Sequence, residues 1–226
     1  MSEVMLQNSQ DSIKGHGTEG TGHITRYDFR RPNKFGKDQM RTLHVIHEYY
    51  ARMLTTYFSG ILRTYSHAEV AGVAEKIYHE FSNSLPDPVI MAVMEMAPYN
   101  GFVMIELSQS IAFGLLDHIL GGSGGEMNEN REYTDIEIAL LERIMSPMAG
   151  LIAESWSGVV MLEPRFERVV TSSRFIQAMS PNETLACITL NVIVGSINGF
   201  INIYIPHICI QPFEDKLSNR LWFSGD

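Results

Sequence analysis

An internal repeat constrains the fold of this chain more than any other feature of its sequence. Residues 100–107 read NGFVMIEL, and a similar segment, NGFINIYI, follows at residues 198–205, about 98 positions later. Self-similarity at one long offset indicates a duplicated structural unit. The flanking sequences agree, because the segment FSNSLP at residues 81–86 has a counterpart, FIQAMSP, at residues 175–181. We therefore expect two related halves.

A glycine-rich stretch lies between these halves. Residues 115–137 read LLDHILGGSGGEMNENREYTDIE, with glycines at 121, 122, 124 and 125 after a helix-like run. The stretch follows a helix rather than a strand and lacks both the G-x-G-x-x-G order and a Gly-Lys-Ser/Thr ending, which argues against nucleotide binding. Spacing alone leaves two interpretations open: a flexible connection, or a place where a partner approaches the backbone closely.

Hydrophobic periodicity predicts the elements of the first half. Residues 39–62 have the spacing of an amphipathic helix, with Asp38 as its expected N-cap. The turn PYNG at residues 98–101 predicts a hairpin of the two strands around it. The remaining expected elements are an extended segment at 65–73, a short helix or turn at 76–83, strands at 89–96 and 102–107, and a helix at 111–120.

The second half repeats this order. Thr134 and Glu137 form an expected capping box, and an apolar stripe of Ile136, Leu140, Ile144, Met148 and Ile152 follows it. Pro147 interrupts that helix, so we expect a kink there. The other expected elements are an extended segment at 165–173, strands at 184–194 and 200–205, and a helix at 207–217. Apolar antiparallel strands with helices in each half predict an α/β fold, a three-layer α/β/α sandwich with internal pseudo-twofold duplication.

Composition and charge narrow the class of protein. The net charge of -9 argues against nucleic-acid binding, which needs clustered cations. Cys187 and Cys209 stand apart in apolar runs, typical of buried thiols in a reducing compartment. No secretion signal or membrane-spanning run is evident, so a cytoplasmic protein is expected. Residues 1–24 are polar and glycine-rich, which predicts a flexible tail.

One side-chain cluster has metal-binding residue types. His44, His47 and Glu48 share a turn of the first long helix. However, paired histidines that bind a metal on a helix are usually four residues apart, and the sequence suggests no third ligand from elsewhere. We therefore interpret the cluster as a solvated or interface face, with no metal and no cofactor.

Three motifs together resemble a known family. They are YDFRRP at residues 27–32, LDHILGGSG at 116–124 and SPNE at 180–183. The combination resembles the middle domain of the FliM family of flagellar motor switch proteins, over residues 25–217. That resemblance implies the pseudo-twofold α/β/α fold of the CheC and CheX phosphatases, a CheC-like fold, in agreement with the repeat.

The resemblance also implies a structural and signalling role without catalysis. In this family the GGxG loop binds FliG, so Gly121, Gly122, Ser123 and Gly124 are the expected FliG contact, with Gly125 as a neighbour. Neighbouring FliM copies and phosphorylated CheY are further expected partners. The expected location is the cytoplasmic ring of the flagellar basal body, peripheral to the inner membrane.

Two parts of the family pattern are weak or missing. The family's CheY-binding peptide is only partly kept, at Ser9, Gln10, Asp11 and Ile13, and lacks the apolar anchors that a docking peptide needs. The family continues into a small domain that joins FliN, which the short segment 218–226 does not include.

An enzyme on the same fold is the competing hypothesis. Phosphatases of the CheC and FliY type carry a Glu-x-x-Asn motif on a long helix, where both side chains direct water onto the aspartyl phosphate of CheY. Glu48 and Glu142 are followed three residues later by Ala51 and Met145, which have no amide. The motif occurs here only at Glu80 and Asn83, outside the predicted long helices, so phosphatase activity is the less favoured hypothesis.

Overall fold

The structure is a computed structural model that describes residues 34–124, 131–172 and 179–218. The predicted CheY-binding residues Ser9, Gln10, Asp11 and Ile13, and also Gly125, lie outside these ranges. The helices are α1 (Lys37–Leu62), α2 (Tyr78–Ser84), α3 (Gln109–Ile119), α4 (Asp135–Met145), α5 (Met148–Trp156), α6 (His207–Ile210) and α7 (Glu214–Ser218). The strands are β1 (Ser66–Ile77), β2 (Ile90–Ala97), β3 (Phe102–Leu107), β4 (Glu163–Val170), β5 (Thr184–Val194) and β6 (Ile197–Pro206).

These six strands form one antiparallel sheet in the order β1-β5-β6-β3-β2-β4. The two copies of the repeat are its central strands, β3 and β6, and Ile105 lies opposite Ile203. These two residues occupy the same position in the repeat, so the pseudo-twofold axis passes between them. The predicted hairpin of β2 and β3 is confirmed, and β5 and β6 form its counterpart.

The outer strands follow the same symmetry. Each outer strand pairs with the hairpin of the other half: β1 pairs with β5, and β4 pairs with β2. Each also contains one extra residue, Ala71 in β1 and Glu167 in β4, at equivalent places in the ladder. Two unrelated strands are not expected to carry bulges at equivalent positions, because the position of a bulge is conserved within a family. The pairing and the bulges support the duplication.

The sheet has a large and a small apolar layer. On one face a continuous core takes side chains from α1, α3, α4, α5 and α7, with Leu43, Phe58 and Trp156 among its most buried members. On the other face a smaller cluster packs against α2 through Tyr78 and Phe81. The sheet therefore lies between helices on both faces, which confirms the α/β class.

The first helix begins earlier than the sequence predicted. The N-cap is Gly36 rather than Asp38, which lies in the first turn of α1. The Gly36 amide donates a hydrogen bond to Gln39 Oε1 at 2.8 Å. The glutamine side chain thus binds the free backbone donor from inside the helix, and Asp38 is not needed as the cap.

Pro147 does more than kink the predicted helix. The chain ends α4 at Met145 and begins α5 at Met148, so Pro147 separates two helices. The apolar stripe is also shorter than predicted, because Ile136 is 74% exposed. It lies in the first turn of α4, before Leu141 and Ile144 enter the core.

The C-terminal helix predicted at residues 207–217 is likewise divided. A 3₁₀ turn at Gln211–Phe213 lies between α6 and α7. Pro212 explains the break, since proline lacks the N–H that a continuous α-helix requires. No helix within the described ranges is both long enough and apolar enough to cross a lipid bilayer.

Candidate partner-binding site

The glycine loop begins where α3 ends. Gly121 has φ +90° and donates its N–H to His118 O at 3.1 Å, and Gly122 N–H binds Asp117 O at 2.8 Å. A positive φ at this position closes the helix and favours glycine, because a Cβ atom is strained there. The predicted termination of this helix by glycine is therefore confirmed.

The Asp117 carboxylate holds the loop from inside. Its Oδ2 accepts a hydrogen bond from Gly124 N–H at 2.7 Å. A Cβ added to Gly122 would lie only 2.0 Å from Asp117 Oδ1, so the carboxylate occupies the space that a side chain would need. Residues 121–124 thus form a folded turn that is held by hydrogen bonds within the chain.

The turn between β5 and β6 packs against this loop. Ser196 Oγ donates to Gly124 O at 3.3 Å. Gly195, with φ +60°, donates its N–H to Tyr65 O at 2.8 Å, at the start of β1. The loop, the turn and the entry to β1 are therefore joined by hydrogen bonds, although they are far apart in sequence.

The imidazole of His118 lies beneath this contact. Its Nε2 would be 2.9 Å from a Cβ on Gly195 and 3.6 Å from one on Gly124. The same nitrogen is buried and has no hydrogen-bond partner among the described residues. The ring thus lies close to both the loop and the turn, and glycine at both positions leaves room for it.

Large apolar side chains are exposed beside the loop. Leu120, directly before Gly121, is 70% exposed, and Tyr65 is 69% exposed. Ser123 is also exposed. Contiguous apolar patches rimmed by polar groups mark interaction sites on soluble proteins, so these two exposed side chains make the region a candidate for partner binding. We call this the glycine-loop surface, defined by Tyr65, Leu120, Gly121, Gly122, Ser123 and Gly124.

Only part of this surface was predicted from the sequence. The glycines and Ser123 were predicted, whereas the exposed Leu120 and Tyr65, the positioning role of Asp117 and the nearby turn at Gly195 were not. Asp117 could have been found, since an acidic residue just before a glycine run can bind its free amides. Tyr65 and Gly195 approach the loop only through the pairing of β1 with β5 and the turn that follows it.

The three residues with metal-binding chemistry do not come together. His44 and Glu48 form a surface pair, with His44 Nε2 3.5 Å from Glu48 Oε1. His47 is instead buried, with Nδ1 2.7 Å from Leu43 O and its ring edge-on to Trp156. The prediction of one solvated face is wrong for His47. Within the described ranges, no group of three or more His, Cys, Asp or Glu side chains is placed to hold a metal.

The two cysteines are buried thiols, as predicted. Burial raises the pKa of Cys187 to about 12 and that of Cys209 to about 11. Both side chains therefore stay protonated at neutral pH and are poor nucleophiles.

The Glu-x-x-Asn motif of the competing hypothesis lies on α2, which has 7 residues. Glu80 and Asn83 are both exposed there, and Asn83 Nδ2 is 3.4 Å from His79 Nε2. The long helices α1 and α4 carry no such pair. This placement agrees with the expectation that the motif is outside the long helices.

Comparisons with curated proteins identify relatives of the whole chain. The flagellar motor switch protein FliM of Treponema pallidum is 41% identical over 100% of this chain and 69% of the relative. FliM of Bacillus subtilis is 38% identical over 88% of this chain and 60% of the relative. The chain thus spans between 60% and 69% of the length of these two proteins.

Solved structures agree with the fold. A chain in the crystal structure of a FliG–FliM complex from H. pylori has a TM-score of 0.76 and 34% identity, covering 80% of this chain and 100% of that chain. The FliM middle domain from H. pylori has a TM-score of 0.73 and 32% identity, covering 80% of this chain and 99% of that chain. The family model for flagellar motor switch protein FliM matches residues 36–222. This chain belongs to the FliM family of flagellar motor switch proteins.

Proposed function

We propose that this chain is a structural and signalling part of the bacterial flagellar motor switch, and that it binds FliG through the glycine-loop surface. Gly121, Gly122, Ser123 and Gly124 form the contact, with Gly125 as its neighbour in sequence. Two findings support this role: membership of the FliM family, and a FliG–FliM complex solved for an H. pylori relative.

The observation that carries the proposal is the turn held by Asp117. Because this carboxylate already binds Gly124 N–H, the glycines are presented in one conformation before any partner arrives. A preordered loop loses little conformational entropy on binding. Leu120 and Tyr65 beside it supply the apolar area that a binding surface needs.

The same role gives the chain further partners. It packs beside neighbouring FliM copies in the cytoplasmic ring of the basal body, on the cytoplasmic face of the inner membrane. Phosphorylated CheY is a further partner of the ring, but the peptide at Ser9, Gln10, Asp11 and Ile13 lacks apolar anchors, so we do not expect it to bind CheY tightly. FliN joins through the domain that follows in the family. CheY reverses rotation only if it binds one arrangement of the ring more tightly than the other.

The phosphatase alternative is not favoured. Glu80 and Asn83 lie on the short helix α2 rather than on a long one. The motif of the CheC and FliY phosphatases also has Asp or Ser four residues before the glutamate. That position here is Lys76, which belongs to strand β1 and not to the helix. The three side chains therefore do not share one helix as the phosphatase motif requires.

Calorimetric titration with FliG of the same organism tests the proposed contact. The variant Leu120→Asp places a charge on the glycine-loop surface without entering the core. The matched control is Ile208→Asp, an exposed isoleucine just after the C-terminal end of β6, at the other end of that strand from the turn at Gly195. We expect Leu120→Asp to weaken binding by about 2 kcal/mol, or roughly thirtyfold, and Ile208→Asp to leave it unchanged.

The outcome separates three situations. Loss of binding in Leu120→Asp alone, with both variants folded, supports the glycine-loop surface as the FliG contact. Equal binding by the wild type and both variants would mean that FliG contacts the chain elsewhere. Absence of binding by the wild type rejects the FliG partnership itself.

A further inference from the structure

A buried carboxylate lies at the centre of the sheet, on the face that packs against α2. Glu106 of β3 is only 3% exposed. Its Oε2 accepts hydrogen bonds from the Tyr204 hydroxyl and from Asn202 Nδ2, the latter at 2.9 Å. Thr189 Oγ1 donates to Asn202 Oδ1 at 2.9 Å, which fixes the orientation of that amide.

The fold does not require a carboxylate at this place. Met104 and Asn202 occupy one position of the repeat, and Glu106 and Tyr204 occupy another. Met104 is fully buried on the same face, so this face accepts a long apolar side chain. Burying a charged group costs several kcal/mol unless its partners compensate. The divergence of the two repeats at these positions therefore points to a use for the polar group.

An open cavity of about 480 Å³ adjoins the carboxylate. Glu106, Asn202 and Tyr204 belong to its polar lining, which also includes Lys76, Gln109 and three serines, and Leu85 and Phe200 are among its apolar members. Both hydrogen bonds to Glu106 reach Oε2, and the described residues provide no hydrogen-bond partner for Oε1. Burial, reinforced by the nearby carboxylate, raises the pKa of Tyr204, so its hydroxyl remains a donor. Glu106 is thus left with an acceptor for a ligand.

We propose that this cavity binds an organic cation, a primary ammonium or guanidinium group, at Glu106. A carboxylate oxygen accepts strong charge-assisted hydrogen bonds from such groups. The apolar wall suits the aliphatic stem that carries them in lysine, arginine and alkylamines. The site does not rest on the proposed FliG contact.

Among the described residues, Lys76 is the one cation that lines the cavity. Its replacement therefore tests whether the ligand is a cation or an anion. Its side chain is exposed, so it is hydrated and screened, and it repels a cationic ligand only weakly. An anionic ligand would instead use Lys76 as its partner. Replacing Lys76 therefore has opposite effects on the two kinds of ligand.

The experiment is an NMR titration of the ¹⁵N-labelled chain at constant ionic strength. The probes are n-butylammonium, n-butylguanidinium, a short peptide with one arginine, and the same peptide with neutral citrulline. We expect saturable shifts of the backbone amides around Glu106 and Asn202 with the cationic probes only. Glu106→Gln, which keeps the shape of the side chain, weakens binding about tenfold or more. Lys76→Gln leaves binding unchanged or tightens it.

The probes also identify the source of the ligand. Tighter binding of the arginine peptide than of n-butylguanidinium indicates a side chain of a protein partner, and the reverse indicates a free small amine. No saturable shift with any cationic probe overturns the proposal, as does equal binding to Glu106→Gln or weaker binding to Lys76→Gln. If Glu106→Gln does not fold, Phe200→Ala decides: this exposed residue lines the cavity, and its loss must weaken binding severalfold.

Discussion

The conformation of residues 121–124 depends on one carboxylate, and a single methyl group tests this dependence. In Gly122→Ala the new Cβ would meet the Asp117 carboxylate and displace it from Gly124 N–H. A hydrogen bond to a charged group contributes about 1.5–3 kcal/mol, so we expect a loss of stability near the lower value. Urea unfolding measures it, and FliG binding should weaken in parallel.

The matched control is Gly60→Ala. Gly60 lies in α1, and apart from its chain neighbours and the local helix backbone no atom is within 4 Å of its added Cβ. The same substitution there should stabilise the protein by about 0.5–1 kcal/mol, because alanine is the better helix former. Equal effects at both positions would mean that Asp117 does not constrain the loop.

His47 makes the stability of the fold depend on pH. Burial lowers the pKa of His47 to about 4, because desolvation disfavours the imidazolium ion. Below about pH 6.5 the unfolded chain binds a proton that the native state does not, so stability falls as the pH drops from about 6.5 to about 4. A tenfold change in proton affinity corresponds to about 1.4 kcal/mol, so the loss of stability over this range is roughly 3 kcal/mol.

The variant His47→Phe isolates this contribution. Other groups, among them Glu137 with its pKa lowered to about 2 by Arg131, titrate equally in both proteins. Chemical unfolding at about pH 7 and about pH 4 should therefore show a smaller loss for the variant, by roughly 3 kcal/mol. Parallel curves would mean that His47 can take up its proton without unfolding.

At the scale of elements, the sequence was most informative where the structure is local. The β2–β3 turn and the capping box at Thr134 use residues close in sequence, and both were predicted. Pro147 shows the limit: a sequence shows that a proline disrupts a helix, but packing of the segments on either side decides between a kink and a break.

The candidate site likewise has a part that was predictable from local sequence and a part that was not. The glycines were visible as a run, whereas Tyr65 and Gly195 join the site only through strand pairing across the sheet. The repeat predicted equivalent hairpins but not the exchange of β1 and β4 between them. Such pairing between distant segments leaves no local pattern in a single sequence.

The start of α4 offers a test of a predicted element. Thr134 Oγ1 accepts from Glu137 N–H at 3.3 Å, and Glu137 accepts from Thr134 N–H at 2.8 Å, a complete capping box. Thr134→Ala should cost about 1 kcal/mol in urea unfolding. The control is Thr56→Ala, an exposed threonine within α1, for which we expect a change within about 0.5 kcal/mol. Equal losses would assign the effect to threonine removal rather than to the cap.

The whole molecule is duplicated, yet its halves are not independent domains. Among the described strands, β1 pairs only with β5 and β4 pairs only with β2, so each half completes the sheet of the other. Separating them would leave both outer strands with unpaired backbone groups, which are costly in a folded core. The central pair of β3 and β6 would also be lost. Because the strands are exchanged, we expect the two halves to unfold in one cooperative event.

Fragments of the chain test this cooperativity. We expect residues 34–124 and 131–218, each prepared alone as a monomer, to unfold without a cooperative transition, since each lacks partners for its outer and central strands. An equimolar mixture should regain a single thermal transition by circular dichroism, because the missing partners are then supplied in trans. A monomeric fragment that unfolds cooperatively by itself would contradict the exchange. A fragment that folds only as a dimer agrees with it, because a second copy can supply the same strands through the pseudo-twofold axis.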